Sequence, residues 1–266
     1  MRLVLRRIIT FLTIRLIMDM VDPDASAESA VQALQWCVNM GHQDILQALL
    51  KTHFTHRKLS DMAEQCAEVL VRVVQAGSCD LLQQLLPYVD ESFLWEIGQS
   101  KDKNHVTKLL CIAVEKGSDE MVEILTQRGG DVDSFYHGKP LLHLSLTLGH
   151  VSIARKLVSA GANVAAIDKR GESVLIPAIC SSIEEKDEVI YWLLQQGIDA
   201  RHKGSSGKEP IHIAAAHSGS AIKQLVNTGC DVNVQDEVNG DTPLHIACGL
   251  CCPETVKTLN PIWCKN

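Results

Sequence analysis

Ten cysteines and eleven histidines are the residues of this 266-residue chain best suited to chemistry, and their spacing decides which chemistry. Cys248-Gly249-Leu250-Cys251-Cys252 places a Cys-x-x-Cys pair just after His245, a spacing at which thiolates hold zinc or run a dithiol couple. No second ligand pair stands at zinc-site spacing, so no metal is expected. Gly204-Ser205-Ser206-Gly207-Lys208 carries the second glycine and the lysine of a phosphate-binding loop. His202 stands where that loop needs its first glycine, Glu209 where it needs Ser or Thr, and no buried strand precedes it. Asp and Glu are scattered, and no Gly-x-Ser-x-Gly or Cys/His arrangement sits on a strand-turn-helix as a nucleophile requires. The expectation is a chain with no catalytic residue, no metal, no cofactor and no small-molecule substrate.

The elements that carry these residues show best at the glycines, because a helix ending on Gly turns back through a left-handed residue that other side chains resist. Gly129, Gly161, Gly197 and Gly229 are separated by 32, 36 and 32 residues. Matching tails follow them: Gly130-Asp131-Val132-Asp133, Ala162-Asn163-Val164-Ala165, Ile198-Asp199-Ala200 and Cys230-Asp231-Val232-Asn233. A second register aligns Gly117-Ser118-Asp119-Glu120-Met121-Val122 with Gly149-His150-Val151-Ser152-Ile153-Ala154. It continues upstream, where Gly41 to Leu50 pairs with Gly77 to Leu86.

Thr242-Pro243-Leu244-His245-Ile246-Ala247 completes the pattern: Thr caps a helix start, Pro suits the first turn, and Leu enters a core. With the near-33-residue period, these segments resemble ankyrin repeats over residues 104–259, and more weakly over 30–90. The resemblance implies an all-α solenoid of stacked antiparallel helix pairs with projecting turns. It implies a division into an N-terminal helix or import or truncation segment (1–29), degenerate ankyrin-like repeats (30–103) and ankyrin repeats with an incomplete last one (104–266). It further implies that Thr242, Pro243, Leu244 and the histidines His143, His212 and His245 are structural, the imidazoles linking backbone and neighbouring loops by hydrogen bonds. Ile176 fills the histidine position of one repeat, so the loop beside it is expected to be held less firmly. Cys248 falls at a core alanine position, which argues against chemistry there. An insertion of about three residues around Ser182 to Asp187 lengthens one turn, and the repeat holding His212 is one residue short near His217.

Composition agrees. Aromatic residues are 4% of the chain, so a core of Leu, Ile, Val and Ala suits closely packed small helices. The formal charge of −7, with no long basic run, disfavours nucleic-acid binding, which needs clustered Lys and Arg to neutralise phosphates. The cysteines Cys37, Cys66, Cys79, Cys111, Cys180, Cys230, Cys248, Cys251, Cys252 and Cys264 form no compact framework and read as buried thiols of a reducing compartment. That predicts a cytoplasmic protein, with a nuclear one as the alternative. Met1 to Met20 is apolar, with Arg2, Arg6, Arg7 and Arg15 and no acid before Asp19, a composition compatible with mitochondrial import. No stretch is long and uncharged enough to span a bilayer. Trp95 is expected to pin the connection between the two repeat blocks, and Trp263 to act as a lid on the last repeat.

What remains is a binding surface made by first helices and projecting turns. Phe135 and Tyr136 offer aromatics, Lys169, Arg170, Arg201 and Lys203 basic tips, and Asp236 and Glu237 acid. The expected function is a non-catalytic protein-protein interaction module, as in a scaffold, adaptor or signalling protein, whose partner presents an acidic, partly apolar segment. The alternative is the regulatory ankyrin segment of a truncated multidomain enzyme, such as a kinase, or of a channel.

Overall fold

The computed structural model describes residues 27–41, 45, 63–86 and 105–263. The expected helix over residues 1–20, Trp95 and the Trp263 side chain lie outside the described residues. The chain divides into two compact units, Met1–Asp131 and Val132–Asn266. The helices on either side of residue 103 pack together within the first unit.

In that first unit the described helices are α1 (Ala27–Met40), α2 (Ala63–Gln75), α3 (Cys79–Leu85), α4 (His105–Lys116) and α5 (Asp119–Gln127). α2 packs on α1, α3 and α4, while α5 packs on α3 and α4. Their apolar faces interleave, with Leu70, Val73, Val74, Leu82, Leu110, Met121 and Leu125 at 0–1% exposure. Burying each such side chain stabilises by about 1.5–3 kcal/mol. The turns between paired helices pass through Gly77 and Gly117, with φ of 73° and 74°.

The second unit opens on a hairpin, β1 (Phe135–Tyr136) paired antiparallel with β2 (Lys139–Pro140). His137 and Gly138 between them both have positive φ, 51° and 81°, the geometry of a two-residue hairpin turn that matches strand twist. Four helix pairs follow: α6 (Leu141–Thr147) with α7 (Val151–Ser159), α8 (Leu175–Cys180) with α9 (Lys186–Gln195), α10 (Pro210–His217) with α11 (Gly219–Asn227), and α12 (Pro243–Gly249) with α13 (Pro253–Trp263). The first members pack in series, α6 on α8, α8 on α10 and α10 on α12. The second members do so from α9 through α11 to α13. The all-α solenoid of helix pairs is therefore what the chain builds, with only this two-stranded sheet among the described residues.

One core runs through the unit, from Leu142 and Leu146 through Leu175, Ile190, Leu193, Ile211, Ile222 and Leu225 to Leu259. Short first helices alternate small and large apolar residues, as in Leu175, Ala178, Ile179 and Ile211, Ala214, Ala215, which lets adjacent layers approach closely. Second helices end on Gly161, Gly197 and Gly229, each left-handed; after Gly161 and Gly229 the next amide returns to the last turn, as when Cys230 N donates to Leu225 O at 3.1 Å.

The inserted segment is anchored to the stack. Ile183 packs on the core, Ser220 donates to Asp187 Oδ1 at 2.5 Å, and Gln224 Nε2 donates to the Asp187 carbonyl at 2.8 Å. Trp192 packs against the same core, with the Arg155 guanidinium 4.8 Å from its ring centroid.

Candidate functional site

The projecting hairpins of the second unit are joined to one another by backbone. Lys169 N donates to Gly138 O at 3.2 Å, Ser205 N to Arg170 O at 2.9 Å and Glu237 N to Gly207 O at 3.3 Å. At these contacts Gly207 is required by space as well as by conformation, and Gly138 by conformation. A Cβ on Gly207 would stand 2.7 Å from Glu237 Cβ, and one on Gly138 would meet the Lys169 stem.

Aspartates of these loops hold backbone amides, Asp133 that of the next loop and the others those of their own. Asp133 Oδ1 accepts the Asn163 amide, Asp168 Oδ1 accepts those of Arg170 and Glu172, and Asp199 and Asp231 accept those of Arg201 and Asn233. Asp236, expected at a partner contact, is instead buried at 3% exposure. Its Oδ1 accepts the amides of Val238, Asn239 and Gly240, and these bonds, led by that from Asn239, hold its carboxyl below the usual range. It is a turn clamp.

The tips themselves project. Phe135 is 55% exposed and Tyr136 is half-buried, its ring 4.1 Å from that of His137. Lys169, Arg170 and Arg201 are exposed. Lys203 Nζ lies 2.9 Å from Glu237 Oε1, which pushes the lysine pKa up; the two tips therefore neutralise one another in part. Phe135 pairs with Pro140, just before α6, and Ile167 with Ser173, two residues before α8. Lys203 and Gln235 precede the corresponding closures, Gly204 N to Lys208 O and Asp236 N to Asp241 O. Phe135, Ile167, Lys203 and Gln235 therefore occupy one register position on successive hairpins. Ile167, 44% exposed, was not singled out from sequence, and the repeat alignment alone would have paired it with Phe135.

The histidines sit inward. His143, 1% exposed, donates from Nε2 to Ala166 O at 2.9 Å, and burial lowers its pKa. His212, equally buried, accepts the Glu209 amide on Nδ1 and donates from Nε2 to Val234 O at 3.1 Å. At the last inner helix, Thr242 Oγ1 accepts the His245 amide and His245 Nδ1 accepts the Thr242 amide, while Pro243 is buried. Leu244 is only half-buried and His245 is exposed. The loop beside Ile176, expected to be loosely held, has its own tie: His202 donates from Nε2 to Gly171 O at 2.7 Å.

Gly204 to Lys208 forms one of these hairpins, and the Ser205 amide is occupied by Arg170 O, so its backbone does not cradle an anion. Cys248 is not in the core. It is exposed, as are Cys251 and Cys180, whereas Cys37, Cys111 and Cys230 are buried. The second alanine position faces the next layer in earlier repeats, and on α12 no described layer follows. Among the described residues no group of three His, Cys, Asp or Glu could hold a metal, and no helix is long and apolar enough to cross a membrane.

The family model for ankyrin repeats (3 copies) matches residues 70–168 and 175–261. The chain belongs to the ankyrin-repeat family. Ankyrin repeats are protein-protein interaction modules, themselves non-catalytic, and they shape extended binding surfaces from stacked units. This ankyrin-repeat chain is 35% identical over 115 residues to the nuclear factor NF-kappa-B p105 subunit of Gallus gallus, covering 40% of the chain and 11% of that protein. It is 29% identical over 146 residues to an L-asparaginase of Dirofilaria immitis, covering 53% and 23%. To the E3 ubiquitin-protein ligase KEG of Arabidopsis thaliana it is 26% identical over 187 residues, covering 68% and 11%. The match spans less than a quarter of the length of each of these relatives.

Proposed function

We propose that this chain is a recognition module of scaffold or adaptor type that binds an acidic, partly apolar protein segment across the hairpin tips of its second unit. The observation that carries the reading is the register row: exposed Phe135 and Ile167 stand on bonded neighbouring hairpins, with Lys169 and Arg170 on the second of them. The aspartates of the same loops are turned onto backbone amides, while Lys169, Arg170 and Arg201 are exposed to solvent. An extended segment with an apolar anchor followed by carboxylates matches that order of surface chemistry.

The test is selection from a displayed peptide library with the whole chain as bait. Acidic peptides bearing an aromatic or aliphatic residue should be enriched, and their binding should weaken as salt rises. The triple substitution Phe135→Ala, Arg170→Glu and Lys203→Glu should remove binding while leaving the circular dichroism spectrum unchanged. Enrichment of basic or neutral peptides, or binding indifferent to the triple substitution, would sink the reading.

A second reading, in which the repeats serve as the recognition part of a longer enzyme, draws support from the printed names of relatives such as the asparaginase and the ubiquitin ligase.

A further inference from the structure

The end of α12 and the turn joining it to α13 hold three thiols in five residues, Cys248, Cys251 and Cys252. In four other turns of the chain the left-handed residue is glycine: Gly41, Gly77, Gly117 and Gly149, with φ between 69° and 80°. Each donates its amide three residues back, to Val38, Val74, Val114 and Leu146. Cys251 stands in that place, with φ 53° and its amide donated to Cys248 O at 3.1 Å; Cys252 N then returns to Ala247 O at 3.0 Å. A Cβ is strained in this region, so the backbone carries a cost to place a thiol where the repeat elsewhere has none.

Cys248 and Cys251 are both exposed. An amide-carbonyl bond between residues three apart holds their Cα atoms within the roughly 7 Å that defines a turn. That range overlaps the about 4.4–6.8 Å span of disulfide-bonded cysteines. Cys252 is set apart, half-buried, its Sγ 3.7 Å from the carbonyl oxygens of Ala216 and Leu250.

We propose that Cys248 and Cys251 form a reversible dithiol site, which a low-molecular-weight disulfide such as glutathione disulfide converts to an intramolecular disulfide. The thiolate of one cysteine attacks the oxidant's S–S bond, forming a mixed disulfide and releasing one thiol, which takes up the proton. The second thiolate attacks the protein-side sulfur of the mixed disulfide and releases the other thiol. Two cysteine thiols are oxidised, and one disulfide is reduced to two thiols. The product closes the end of α12 with a covalent ring and removes two exposed nucleophiles from it.

The experiment equilibrates the full chain in glutathione buffers of increasing disulfide fraction, quenches with acid, alkylates the remaining thiols and maps them by mass spectrometry. Cys248 and Cys251 should lose alkylation together, in a peptide lighter by two hydrogens, and recover it on reduction. In Cys248→Ser, Cys251 should carry a single glutathione and no internal bridge. Separate glutathione adducts on both cysteines of the wild type, or a bridge from either one to another cysteine, would overturn the proposal. Cys251→Gly tests the strain independently: in reducing buffer it should melt above the wild type, and a lower melting temperature would remove the ground for singling out Cys251.

Discussion

His202 donates from Nε2 to the carbonyl of Gly171 at 2.7 Å, tying the hairpin before α10 back to the hairpin before α8. His143 and His212 act in the other sense, from an inner helix to the loop that follows. Where Ile176 removes the helix histidine, the loop supplies one of its own. His202→Ala should therefore cost about 1 kcal/mol of stability, with faster hydrogen exchange at the Ser205 amide. Unchanged exchange there would show that the hairpin is held without the imidazole.

His143 gives a pH dependence. Burial lowers its pKa from the ordinary value of 6.5, so the unfolded chain takes up a proton that the folded one refuses. Its contribution is fully present above that ordinary value and is lost as pH falls below it, down to the lowered folded value. Melting temperatures of wild type and His143→Gln, compared from about pH 7.5 down to pH 5, should show the wild type losing stability more steeply. Parallel curves would contradict this.

Asp236→Ala should release the amides of Val238 and Asn239 to rapid exchange and lower the melting temperature, while Gly240 keeps its bond to the Asp236 carbonyl. Asp236→Asn keeps an acceptor oxygen and should restore most of the protection. Because the carboxylate pKa is depressed by those amides, its stabilisation is present above the ordinary carboxylate range and fades as pH falls through the folded value.

The same repeat position is worth different amounts along the stack. Leu175→Ala, at 0% exposure between two layers, should cost about 2–5 kcal/mol, whereas Leu244→Ala, half-exposed on α12, should cost well under half as much. Denaturant melts of the two variants measure the difference directly, and equal losses would mean that α12 is covered.

The helix pairs were legible because their punctuation is local: Gly161, Gly197 and Gly229 need a left-handed φ whatever surrounds them, and Thr242 caps the helix it precedes. The ties between loops were less so. That Asp236 turns inward while Glu237 turns out depends on which amides the turn of residues 236–241 presents, and adjacent acids look alike in sequence. Cys248 stands at a core alanine position of the repeat, but burial belongs to the neighbouring layer and not to the residue. Cys251 in a glycine position was visible in the alignment of turns, and was hidden by the usual reading of cysteine as a small core residue.

Lys169, Ser205 and Glu237 join hairpin to hairpin through main-chain amides, whose geometry is indifferent to which side chain each residue carries. Substitution at the tips can therefore alter what the surface recognises without unseating the loops that display it. Variation there is cheap for folding, and one scaffold of this kind can be retuned to a new partner by changes at a handful of projecting positions.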